Sequence, residues 1–184
     1  ADFITVELWS AVTPTGVVPD FSTLGPPDAI YLTATIQEDR SPPDFPNPHK
    51  VAIAEYTTDF AARITGVIQS TAKAGSATFS LTSDDGSKLY IDGELVVEND
   101  GYHAEKTEAG TLQLAKQTYY EFEVQFWQGA EGARLALNWH PPGAVTGLVP
   151  LAGSDTAFMR NIFVQLWAGR PPGGFLPADF SELP

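Results

Sequence analysis

Apolar and polar residues alternate with a period of two along most of the chain, the signature of half-buried β-strands. Ile4, Val6 and Leu8 alternate, as do Ile30, Leu32, Ala34 and Ile36. Ala77, Phe79 and Leu81 make a third run, followed by Leu112 and Leu114. The clearest case is Tyr120, Phe122, Val124 and Phe126, after which Ala133, Leu135, Leu137 and Trp139 alternate in turn. No segment carries a helical stripe longer than about two turns. The best helical candidate, "TTDFAARITG" (57–66), reads equally well as a strand. Turn signals separate the runs at "KAGS", "IDGE", "NDG" and "GAEG". Many short antiparallel strands in one chain predict an all-β sandwich or barrel with long loops. Residues 37–50, "QEDRSPPDFPNPHK", hold four prolines and are expected to be a loop.

The two ends resemble each other. "ITVELWSAVTPTGVVPDFSTL" (4–24) and "IFVQLWAGRPPGGFLPADFSEL" (162–183) align with one inserted residue. The spacing of roughly 158 residues is too long for a solenoid repeat. We therefore divide the chain into a domain over residues 1–157 and a segment over 158–184. That segment either completes the same domain or opens a tandem module.

Composition narrows the function classes. The 184 residues are 43% hydrophobic, sufficient for one domain with a sizeable core. Lys and Arg number 10 against 23 Asp and Glu, for a formal charge of −13. Such a surface is repelled by nucleic-acid phosphates and by anionic lipid, and it suits hard cations. No cysteine is present, which excludes disulfides, thiolate catalysis and cysteine-ligated zinc. No apolar run approaches the ~20 residues of a membrane span. We expect a monomeric module within a multidomain chain.

The candidate chemistry lies at "SDDGSKLYIDG" (83–93), where Asp84 and Asp85 end a predicted strand. Successive strand residues face opposite sides of a sheet. For both carboxylates to meet one ion, the backbone between them must kink or adopt a cis peptide. A divalent cation, an Asx-type turn and a carboxylate pair all remain open on the residues alone. The spacing required of an EF-hand is missing, and His49, His103 and His140 lack metal-ligand spacing. Asn99 and Asp100, in "ENDGYH", offer another set of side-chain oxygens, read as a turn in preference to a second cation site. No G-x-S-x-G, H-E-x-x-H or Walker sequence occurs, and we expect no enzyme activity.

Several motifs occur in a fixed order: "SDDGS" after a strand, "LYIDG", "NDGYH", "GTLQL", "YYEFEVQFW" and the terminal "LALNW". In that order they resemble the PA-fourteen family, the lectin-like domain named after anthrax protective antigen. The likeness is strongest over residues 79–139. The opening departs from it, with "ITVELW" where the family has Gly-Leu-x-x-x-Tyr-Tyr. Within the family, the acidic balance, the absence of cysteine and the duplicated ends look most like the sugar-binding module of RTX-type bacterial adhesins.

The resemblance implies a β-sandwich whose Asp84–Asp85 pair is joined by a cis peptide and holds one Ca²⁺. It implies further oxygens from the loop "WQGAEGA": Gln128, where the family often has Asn, and the carbonyls of Ala130 and Gly132. Sugar contacts are expected from Asp84, Asp85, Gln128, Gly129 and Glu131, with aromatic faces from Trp127 or Tyr102. Vicinal hydroxyls of a glucose-, fucose- or galactose-type sugar would replace calcium-bound water. Weak single sites then gain from multivalency on a long chain. The expected setting is extracellular, on a cell surface, in adhesion or biofilm formation. The alternatives are a calcium-rigidified spacer and a non-catalytic targeting module of a carbohydrate-active enzyme.

Overall fold

Strand β9 (Tyr119–Gln128) shows why this chain folds in two layers. Phe122, Val124 and Phe126 all point into one core, and each is almost fully buried. Its neighbours in the larger sheet are β4 (Phe60–Gln69) and β6 (Ser87–Ile91). That sheet has the order β2-β1-β4-β9-β6-β7, with β1 at Ile4–Trp9, β2 at Ala29–Thr33 and β7 at Glu94–Asn99. The opposing sheet has the order β11-β10-β5-β8, with β3 (Gln37–Glu38) also paired to β10. Its strands are β5 (Gly75–Asp84), β8 (Lys106–Leu114), β10 (Arg134–His140) and β11 (Val149–Pro150). All pairings are antiparallel. The computed structural model describes residues 4–38, 58–130 and 132–151. The 158–184 segment, and all but the first two residues of the proline-rich 37–50 segment, lie outside these.

The core between the sheets takes the alternating residues from both. Ala77, Phe79 and Leu81 of β5 and Leu135, Leu137 and Trp139 of β10 meet Ile64, Ile68, Leu89 and Val97 from the larger sheet. Phe79 stacks on Trp139 with ring centres 6.0 Å apart. The segment "TTDFAARITG" resolves as strand, its residues from Phe60 onward forming the first part of β4. In β2 the phase is opposite to the simplest reading of the sequence. Ala29 and Tyr31 pack on the core, whereas Ile30 is 50% exposed. This is an edge strand paired only to β1, so the outer face of its sheet is open to water there.

A second apolar cluster lies on the outer face of the larger sheet. Trp9, Ala61 and Trp127 stand side by side on β1, β4 and β9, with the small alanine between two indoles. Val12, Val18, Phe21 and Leu24, from the segment that follows β1, cover them. Trp9 meets Phe21 edge-on at 5.1 Å, and its Nε1–H donates to the Gly25 carbonyl. A short 3₁₀ turn at Phe21–Thr23 is capped by Asp20, whose carboxylate accepts from the Ser22 N–H and hydroxyl. Residues 10–28 thus form a strap that seals one end of the larger sheet from outside.

The chain changes sheet repeatedly, and the changes fall at two ends. β4 to β5 and β8 to β9 cross at one end, where the Ser70 N–H donates to the Thr118 carbonyl and Gln117 N–H to that of Thr71. β5 to β6, β7 to β8 and β9 to β10 cross at the other. β6 and β7 are joined by Asp92-Gly93, both with positive φ (47° and 79°), the backbone of a two-residue hairpin turn. The Asp92 carboxylate also accepts from the Glu121 N–H, which fastens the turn to β9.

β7 runs close across β8: a Cβ built on Gly110 would stand 1.9 Å from the Val96 carbonyl oxygen. The two nearest obstacles are backbone atoms of Val96, which cannot yield as a side chain could, and Val96 Cγ1 lies behind them at 3.2 Å. Gly110→Ala is therefore expected to cost about 2–4 kcal/mol. Urea denaturation of the variant should show this as a lower midpoint at unchanged slope.

Candidate functional site: the corner at Asp85

Three cross-sheet corners converge at one end of the sandwich, and Asp85 is where they meet. The first corner is Asp85-Gly86, between β5 and β6; the peptide joining Asp84 to Asp85 is cis. The second is residues 100–105, between β7 and β8, and the third is 129–133, between β9 and β10. The Asp85 side chain accepts from one backbone N–H of each partner corner. His103 N–H donates to Oδ1 at 3.2 Å and Gly129 N–H to Oδ2 at 2.9 Å. With 5% of its surface exposed, Asp85 is nearly enclosed.

Gln128 reinforces the same junction. Its Oε1 accepts from the Asp85 N–H at 2.9 Å, and its Nε2 donates to the Ala130 carbonyl at 2.7 Å. The side chain is fully buried, so this amide is a strut between two corners. Around it, Trp127 N–H donates to the Gly86 carbonyl and Asp59 N–H to that of Gly129. Beneath the first corner, the Ser83 and Ser87 hydroxyls share a hydrogen bond, and the Asn99 amide donates to Ser83 Oγ and to the Leu81 and Lys106 carbonyls. Both ring nitrogens of His103 lie within 3.0 Å of backbone carbonyls, those of Asn99 and Ala104, so the imidazole braces its own loop.

The Asn99–Asp100 pair is structural in its contacts. Asn99 is used as just described. Asp100 Oδ1 accepts from Val18 N–H at 2.7 Å and Gly101 N–H at 2.8 Å, and Oδ2 pairs with Lys88 Nζ at 2.8 Å. Burial disfavours the charged form of Lys88, but its hydrogen bond to Asp100 and the charges of Asp100, Tyr90 and Glu98 raise its pKa overall.

The aromatic residues divide. Trp127 is fully buried in the outer cluster and presents no face to a ligand, because the strap covers the side that a strand end would otherwise expose. That corrects the expectation of a sugar contact from Trp127. Tyr102 is 58% exposed, and its ring stands edge-on to Trp127 at 4.6 Å. It passes so close to Gly129 that a Cβ there would lie 2.5 Å from Tyr102 Cε1 and 2.8 Å from the hydroxyl. Gly129 thus touches Asp85 through its N–H and Tyr102 through its bare Cα. Glu131 lies outside the described residues.

Asp84 pairs with Arg134 across the β5–β10 ladder, one residue from the corner. The potential donors at this end are two carboxylates, the Gln128 amide oxygen and the carbonyls of Ala130 and Gly132. All are oxygen, the kind that Ca²⁺ takes. Among the described residues no three His, Cys, Asp or Glu side chains gather in a metal-binding group. A cation here would therefore draw on amide and carbonyl oxygens besides the two carboxylates. The Asp85 carboxylate offers about four lone-pair sites, of which two accept the N–H bonds above. On donor chemistry the residues fit a calcium ion.

The sequence profile of the PA14 domain matches residues 35–151, which span all three corners. The chain belongs to the PA14 domain family. Among solved structures, the PA14 domain of the MpAFP antifreeze protein superposes with a TM-score of 0.70 at 18% identity, covering 83% of this chain and 88% of that one. The PA14 sugar-binding domain from an RTX adhesin gives 0.68 at 17% identity, covering 86% and 99%. The epithelial adhesin 9 A domain from Candida glabrata, in complex with Galβ1-3GlcNAc, gives 0.60 at 11%, covering 86% and 89%. A comparison with curated protein sequences gives no match. At these identities the structural likenesses establish the PA14 sandwich.

The Lys88–Asp100 contact generates a pH prediction. A lysine whose pKa is raised by folding contributes stability that is fully present below the ordinary value of 10.5 and is lost as pH rises through the folded value. Wild type should thus lose more melting temperature than Lys88→Met on crossing that range. The difference corresponds to about 1 kcal/mol or less, as for a partly exposed pair.

Proposed function

We propose that this PA14 domain is a calcium-dependent carbohydrate-binding module of an extracellular, adhesin-type protein acting in surface attachment or biofilm formation. The observation that carries the reading is the Asp85 anchor. One carboxylate, itself nearly enclosed, ties three loops together at one end of the sandwich, in a stretch of chain rich in oxygen donors that also carries an exposed tyrosine. Asp84 and Asp85 would hold the ion, with Gln128, Ala130 and Gly132 supplying the remaining protein oxygens. Bound there, Ca²⁺ would offer coordination positions that vicinal sugar hydroxyls can take from water. Gly129 leaves room for the Tyr102 ring, and Tyr102 offers an aromatic face to the apolar side of a pyranose. Support comes from two structural neighbours: the domain from an RTX adhesin is a sugar-binding one, and the Candida glabrata A domain carries a disaccharide. Partners of glucose, fucose or galactose type follow from the family resemblance.

A calcium-rigidified spacer is the competing reading, and the hydrogen bonds disfavour it. The corners are already tied by Asp85, Gln128 and backbone pairs of the chain itself, so an ion has little left to rigidify. A targeting module of a carbohydrate-active enzyme would use the same site without catalysis, and differs only in what the domain is attached to.

Titration calorimetry with glucose, fucose and galactose, in calcium and then in chelator, tests the proposal. Binding should be weak, with Kd near the millimolar end of the scale, and should vanish in chelator; binding that survives chelation would sink the bridging mechanism. Asp85→Ala should lower affinity at least about tenfold with the β-sheet circular dichroism retained. A variant that unfolds in calcium would report the loss of the two backbone hydrogen bonds that Asp85 accepts, and the chelator arm would then decide the role of the ion.

A further inference from the structure

We infer that residues 16–18 of the N-terminal strap form a third wall of the carbohydrate site, locked against the Tyr102 loop by Asp100. The inference rests on the carbohydrate reading above and deepens it. It starts from contacts that are far apart in sequence. Asp100 Oδ1 accepts at once from Val18 N–H and from Gly101 N–H, so a single oxygen fastens the strap to the loop that carries Tyr102 and His103. Two residues earlier, a Cβ on Gly16 would stand 3.3 Å from Tyr102 Cδ2. The ring of Tyr102 is therefore flanked by bare Cα atoms on both sides, Gly16 from the strap and Gly129 from the third corner, with Trp127 beneath its edge. Gly129 in turn donates to Asp85. A continuous line of contacts runs from Val18 through Asp100 and Tyr102 to the Asp85 carboxylate.

Between the two anchored strap residues stands Val17, 48% exposed. The strap buries Val12, Val18 and Phe21 against Trp9 and Trp127, with Leu24 partly buried beside them. Val17 is thus the one apolar residue at the anchor that the strap leaves to solvent, beside a tyrosine that is also exposed. The carboxylate on this side, Asp100, is consumed by two N–H donors and Lys88. What the wall offers a sugar is therefore apolar contact with C–H faces, while hydroxyl recognition stays with the oxygen donors at Asp85. Asp100 acts through others and is a positioning residue.

The test separates sugar affinity from calcium affinity. Wild type, Val17→Asp, Asp100→Ala and Asp100→Asn are titrated with calcium alone. In calcium they are then probed on an array of glucose-, galactose- and fucose-terminated glycans, and by calorimetry with the best-bound of these. Val17→Asp and Asp100→Ala should weaken glycan binding about three- to tenfold while calcium affinity stays within about twofold of wild type. Asp100→Asn keeps an oxygen for the two N–H donors and should recover most of the glycan affinity even though the Lys88 ion pair is gone. Val17 is at the surface, so its variant is expected to fold, and near-ultraviolet circular dichroism of the aromatic residues checks that it does. Glycan binding by wild type that is unchanged in both Val17→Asp and Asp100→Ala would overturn the wall and leave the carbohydrate reading standing. A wild type that binds calcium and no glycan would overturn both.

Discussion

One carboxylate holds this end of the molecule together. Asp85 sits where the chain leaves one sheet for the other, and its two oxygens take backbone N–H groups from the only other corners that cross at the same end among the described residues. Each corner alone would be a turn of a few residues with unsatisfied polar groups close to an apolar core. Tied to one charged acceptor, they become a single rim. A charge-assisted hydrogen bond is roughly twice as strong as a neutral one, and here two of them act inside a nearly closed environment. Gln128 doubles the connection by reaching from the Asp85 backbone to Ala130. The two sheets supply the frame, but the relative placement of loops far apart in the chain depends on this junction.

The outer cluster gives the rim its second support. Most sandwiches bury one face of each sheet. Here the strap covers part of the other face of the larger sheet, so Trp127 and Phe126 are both enclosed although they are neighbours on one strand. Trp127 then serves as a floor for Tyr102. The large apolar residue is fixed by packing and the exposed aromatic is fixed by the large one, which spares the loop from having to order Tyr102 by itself. The opposite end uses a parallel solution in neutral form, with Ser70 holding the two connections there to each other.

Much of the fold was legible in the sequence because period-two alternation reports a half-buried strand directly. β9 and β10 were read from Phe122 to Trp139 with their inward faces correct, and Asp92-Gly93 announced its hairpin. The failures share a cause. Alternation says which residues share a face and is silent on what covers that face. Ile30 looked as suitable for the core as Ile4, yet it lies on the open side of an edge strand. Trp127 stood as a candidate sugar contact because nothing local reveals a strap from about a hundred residues earlier. The bond from Val18 to Asp100 spans 82 positions, and no spacing rule anticipates it. At the candidate site, the Asp-Asp-Gly motif pointed to the corner that Asp85 anchors. The work done by Gln128 was not legible, since composition cannot say which atoms an amide will meet.

The chemistry of the Asp85 junction has a consequence for how such a rim can diversify. The groups that bind its carboxylate are main-chain amides, and any residue other than proline supplies one at position 103. Position 129 is narrower, because Tyr102 occupies the space a side chain would need. Apart from side chains that anchor, such as the Asp100 carboxylate and the His103 imidazole, those of the loops can be exchanged without touching the atoms that hold the loops in register. At positions that meet Asp85 through their N–H alone, anchorage is written in the backbone and the side chain is left for recognition. A rim built in this way can acquire a new selectivity by substitution while the scaffold that presents it stays as it was.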